Sequence, residues 1–200
     1  MQAVFLSMIQ FFGAIVLIPL VMTITPSFVD ELAHLGHLQN IFMSGVVTYA
    51  LLQLFFYTPQ GVFQSGQQII ADLFKAVPLL SSVGPLFIPL WPTLLLLACY
   101  VVVSIFRYTE AEPYFLFFAG FTGAMHLIAC AHAEFGEDDN VFKARYLFLM
   151  SLTYLFTLVI AAFLLSVNFP KFSFSSFFVS SLESAKEIYV RIFHQLFIPR

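Results

Sequence analysis

Apolar residues in this chain come in long blocks separated by short polar stretches, and the blocks define its elements. Five stretches contain no Asp, Glu, Lys or Arg: 1–29, 32–71, 76–106, 113–133 and 146–170. At about 1.5 Å per residue, each has enough length for one helix to cross the ~30 Å hydrocarbon layer of a bilayer. The pattern predicts spans at 3–24, 39–57, 90–106, 113–133 and 146–167. Two further stretches repeat apolar residues every three or four positions, with polar groups opposite. In 59–77, Val62, Phe63, Ile69, Ile70, Leu73, Phe74 and Val77 oppose four glutamines, Asp72 and Lys75, with Thr58 and Pro59 as N-cap and first helical residue. In the tail, a stripe from Phe174 through Phe177, Phe178, Leu182, Ala185 and Ile188 to Phe197 opposes serines and charges. Both are expected to lie in the membrane interface, the tail as a platform or as a docking face for another subunit. The predicted fold is therefore an all-α polytopic transmembrane bundle of about five spans with two interfacial amphipathic helices. Residues 1–170 form the bundle and 171–200 the C-terminal amphipathic helix.

The connections add detail. Pro19 kinks the first span, and a neighbouring helix must satisfy the carbonyl it frees. Ser27 and Asp30 resemble a capping box, and Phe28, Leu32, Leu35 and Leu38 form a stripe, so a short surface helix is expected after residue 24. Pro78, Pro85, Pro89 and Pro92 predict a re-entrant or surface-hugging turn, anchored by Trp91. RYTEAE, residues 107–112, joins spans three and four as a tight antiparallel hairpin. The acidic run Glu137–Asn140 lacks the alternating ligands and closing Glu of a calcium loop, so it reads as solvated.

Composition and charge narrow the class. With 60% hydrophobic and 10% charged residues and a mean hydropathy of +0.94, the chain has the lipid bilayer as its main solvent. The net charge of −3 is spread over short loops, which implies neither nucleic-acid binding nor a polybasic lipid patch. The expected partners are lipid and other membrane-protein subunits, or further copies of the chain. A bacterial inner membrane or an organelle membrane is the expected location. The first apolar run lacks the basic start and cleavage site of a secretory signal and reads as a retained span. Lys75, Lys143 and Arg145 fall on one side of the predicted topology. Arg107, Lys171, Lys186, Arg191 and Arg200 fall on the other, which tilts orientation toward an exported N-terminus and a cytoplasmic C-terminus.

Candidate chemistry centres on the helix from Glu112 to Glu134. Ala119, Gly123, His126 and Cys130 share one face, with Gly120 and Ala124 on the adjoining stripe, so small residues predict close helix packing. Gln10, Thr48, His126, Thr153 and Tyr154 come out at similar depths when counted from one membrane face. This polar layer reads either as interhelical hydrogen bonding or as a proton, ion or ligand site around His126. Asp30, His34 and His37, spaced four and three apart, are candidate metal ligands, although an incomplete set and a wet polar face are the simpler account. Cys99 and Cys130 are separated in depth, which predicts two thiols. No GxSxG, HExxH, Walker or paired-cysteine spacing occurs, arguing against hydrolase, zincin and NTPase chemistry, and no motif names a cofactor. Three functions follow in order: a non-catalytic structural or accessory subunit of a larger membrane complex, a transporter or channel component, and a metal-dependent membrane enzyme.

Overall fold

The computed structural model describes residues 2–55, 60–76, 84–135 and 144–197, and among these the regular structure is entirely helical. The helix start at Thr58 and Pro59, residues 77–83 of the proline-rich stretch and the Glu137–Asn140 loop lie outside the described residues. In chain order the α-helices are α1 (Gln2–Ala33), α2 (His37–Phe55), α3 (Gln60–Leu73), α4 (Leu90–Tyr100), α5 (Glu112–Phe135), α6 (Ala144–Asn168) and α7 (Phe174–Phe197). Among the described residues four segments are long and apolar enough to cross a membrane: Ser7–Ala33, His37–Phe55, Thr109–Ala133 and Arg145–Asn168. The fifth expected span is shorter. Leu90–Ile105 rises about 24 Å at 1.5 Å per residue, below the usual hydrocarbon thickness. Its last turn, Val101–Ile105, widens into π-helix, and Arg107 turns into the left-handed region at φ 58° to end it. A single 3-10 turn, Thr109–Ala111, then leads into α5.

The first connection differs from the expected surface helix. α1 runs through Pro26 to Ala33 as one element, and the chain reverses at Gly36, whose φ of 63° suits a residue without Cβ. Tertiary packing overrides the break that the proline would favour in isolation. Phe28 sets its ring 6.0 Å from Phe42, 5.8 Å from Phe172 and 6.0 Å from Phe177, so the residues after Pro26 belong to the main core. Pro19, earlier in the helix, cannot donate to the carbonyl one turn back. In the same turn the Tyr189 hydroxyl of α7 donates to the neighbouring carbonyl, that of Val16.

α2 and α5 make the closest helix pair and run in the same direction, with Phe42 against Gly120 near their starts and Gln53 beside His132 near their ends. A Cβ on Gly45 would lie 2.0 Å from the Phe117 carbonyl oxygen, and one on Gly120 would lie 2.2 Å from that of Phe42. Only glycine permits this approach. α6 runs parallel to α1, joined by the Thr25–Tyr154 hydroxyl pair at 2.6 Å. Asn168 closes α6 by donating to the Leu96 carbonyl of α4 at 3.1 Å.

α7 folds back along α1, antiparallel to it. Four contacts mark the path: Ser173 N–H to Glu31 Oε2 at 3.1 Å, Ser27 to Ser180 hydroxyls at 3.3 Å, Thr23 Oγ1 to the Ser181 carbonyl at 3.1 Å, and Tyr189 to Val16. From Glu31 to Val16 this covers about 23 Å of α1. Its contact face is narrow, with Phe177, Ser181 and Ala185 buried, while Phe178 and Leu182 from the predicted stripe stay exposed. Glu183, Lys186, Glu187 and Arg191 all point outward.

Candidate functional site

The small residues of α5 do two different things. Gly120 packs against α2, whereas a Cβ on Gly123 would meet nothing within 4 Å. The space beyond Gly123 is a partly open cavity of about 290 Å³ between α1, α2, α4, α5 and α6. Ala119, Gly120, Gly123 and Ala124 all line it, facing Met43, Val46, Leu158 and Leu164 from neighbouring helices. Tyr154 and Thr25 also reach its wall, but their hydroxyls are engaged with each other. Thr157, 4% exposed, and Thr93 stand at the wall with hydroxyl oxygens that find no hydrogen-bond partner among the described residues. The lining is therefore almost all carbon.

Cavity size decides how much this matters. A space of about 290 Å³ is far larger than the water-sized voids of ordinary side-chain packing. Water is a poor filler where few polar groups stand ready to bind it. The glycine and alanine stripe thus keeps open a space that side chains would otherwise occupy.

His126 lies on a different side of α5. It is 5% exposed, and its Nε2–H donates to the Leu86 carbonyl at 3.1 Å, which places the proton on Nε2. Cys130 Sγ sits 3.7 Å from the same nitrogen and 3.8 Å from the Leu86 oxygen. The Phe63 ring of α3 closes over the imidazole at 6.0 Å. The free space beside His126 is only about 10 Å³, at the lower bound for one water. Trp91 Nε1–H donates to the Val62 carbonyl at 3.0 Å and ties α3 to the start of α4. This geometry holds α3, the residues near Leu86 and α5 together.

The candidate polar layer does not assemble around the imidazole. Tyr154 bonds Thr25, and Thr153 is fully buried with no hydrogen-bond partner for its hydroxyl among the described residues. Thr48 and Gln10 are half-buried on α2 and α1 and make no hydrogen bond to His126 or Tyr154. Equal depth on separate helices did not bring these groups into contact. Asp30 lies on α1, His34 in the turn and His37 at the start of α2, all exposed, so the reversal at Gly36 removes the shared helical face that their spacing suggested. Among the described residues no three His, Cys, Asp or Glu side chains are grouped to hold a metal ion. Both cysteines are buried thiols.

Glu31 acquires its partner only through the fold. Glu31, 7% exposed, accepts from the Ser173 backbone N–H at the N-terminus of α7, and Ser173 Oγ accepts from Ser176 N–H at 3.1 Å. A carboxylate beside unsatisfied N–H groups at a helix start is stabilising. The signal was Asp30 and Glu31 together, flanked by the charge-free runs 1–29 and 32–71, but only the fold supplies the partner.

Comparison with protein families, with characterised proteins and with solved structures finds no match to this chain.

Proposed function

We propose that the chain is an integral membrane protein acting as a non-catalytic accessory subunit, joined to another membrane-spanning chain through the outer face of α7. The four long apolar helices and the shorter Leu90–Ile105 segment support a five-span bundle, with α3 docked at its edge. One observation carries the subunit reading. Glu183, Lys186 and Glu187 project outward between the Ser181–Thr23 and Tyr189–Val16 contacts, and Arg191 lies just beyond. At that level α1 is charge-free, within the segment Ser7–Ala33 that is long and apolar enough to cross a membrane.

Charged groups at bilayer depth cost about 3 kcal/mol each when they face lipid. The internal pair available to them, Arg191 with Glu187 at 3.9 Å, is long and lies on the outer surface of α7. A second chain with a complementary polar face removes that cost, and the alternation of acidic and basic groups gives it register. α7 in this account is an amphipathic assembly helix rather than a platform floating on the surface. A transporter site at His126 has little support, because the imidazole is packed, bonded to Leu86 and left with almost no free space.

The test is charge reversal on the outward face alone. Glu183→Lys with Glu187→Lys, expressed in the native membrane and extracted in mild detergent, should release a smaller particle on a native gel. Unfolding temperature of the isolated chain should stay unchanged, because both side chains are exposed. An unaltered particle size would sink the reading.

A further inference from the structure

From the cavity behind Gly123 we infer a second property, independent of the α7 interface: it is a binding site for a hydrocarbon chain drawn from the surrounding lipid. The void measures about 290 Å³ and is partly open rather than sealed. An apolar cavity of ~150 Å³ takes up a benzene ring, so this one has room for a hydrocarbon segment of roughly a dozen carbons. Its walls offer almost no polar atom to water, since Tyr154 and Thr25 bond each other and the Thr157 hydroxyl is buried in the wall. Gly123 is the determinant. It is the cavity-lining glycine at which a Cβ meets nothing, so any larger residue there projects straight into the space.

The occupant this chemistry selects is an acyl chain of a bilayer lipid. Recognition is by shape and carbon surface, with no headgroup charge required, because among the described residues no Asp, Glu, Lys or Arg lines the void.

The test uses full-length protein reconstituted in phosphatidylcholine vesicles that carry a diazirine at the middle of one acyl chain. After photolysis, peptide mapping should find label on Gly123, Leu127, Leu158 and Ala161 inside the cavity, as well as on outward-facing Phe156 and Phe163. Gly123→Leu should cut the interior label about tenfold by filling the space, and leave the outward label unchanged. Folding of the variant is read separately from thiol reactivity of the buried Cys99 and Cys130. Should Gly123→Leu fail to fold, Ala161→Leu on the facing helix serves instead. Interior residues left unlabelled in the unmodified protein, or interior label that persists in a folded cavity-filling variant, would overturn the inference.

Discussion

Gly120 and Gly123 sit one turn apart on α5, look alike in sequence, and should respond oppositely to the same substitution. Alanine is favoured over glycine by about 0.8–1 kcal/mol in a helix interior. At Gly123 nothing opposes that gain, because no atom lies within 4 Å of the new Cβ, so Gly123→Ala should stabilise by up to about 1 kcal/mol. At Gly120 the Cβ would lie 2.2 Å from the Phe42 carbonyl oxygen, a main-chain atom that cannot rotate aside. α2 must retreat by roughly 1 Å, and a gap of that size forfeits a quarter to a half of the dispersion energy of the contacts involved. With overpacking costs of about 1–3 kcal/mol set against the propensity gain of about 1, Gly120→Ala should destabilise by up to about 2 kcal/mol. The two variants should therefore differ by about 1–3 kcal/mol, or ~2–12 °C in unfolding temperature for a chain of this size. Cys99 and Cys130, both fully buried, provide the readout through a maleimide that fluoresces when unfolding exposes them. Equal melting temperatures, or a more stable Gly120→Ala, would refute the packing argument.

Other outcomes follow from single contacts. Glu31→Ala removes the carboxylate from the start of α7 and should cost about 1.5–3 kcal/mol locally, seen as faster protease cleavage near Phe172 with the rest of the bundle intact. Asn168→Leu leaves the Leu96 carbonyl without its α6 donor and should lower thermal stability by about 0.6–2 kcal/mol, measurable in the same thiol assay. His126→Phe keeps an aromatic body but loses the bond to Leu86; the segment from Leu86 into the start of α4 should loosen, which Trp91, the single tryptophan, reports as an emission shift. Unchanged emission in that variant would show that the imidazole does not position this corner.

Much of the bundle was readable from charge-free blocks, because lipid-compatible length is a property of sequence alone. Four of the blocks became helices of crossing length, and α5 proved central, as its small face implied. What periodicity could not supply was partnership. Gly120 and Gly123 belong to one pattern, yet whether a small residue admits a neighbouring backbone or leaves a void depends on the facing helix. Depth counting placed Thr153, Tyr154 and His126 at one level but carries no rotation about each helix axis, and the groups face different neighbours. Asp30, His34 and His37 matched helical spacing, but the count ran through Gly36, where the chain reverses. The tail's stripe was legible, though its destination was not: α7 uses Phe177, Ser181 and Ala185 against α1, a contact face that includes a serine and leaves Phe178 outside.

The most direct test of the account is the composition of the particle that this chain forms in its own membrane. Gentle extraction followed by native mass spectrometry should give the 22.6 kDa chain bound at fixed stoichiometry to a different membrane protein, with α7 protected from protease at Glu183–Arg191. A particle containing this chain alone, or only copies of it, with the outer face of α7 open to protease, would contradict the subunit reading.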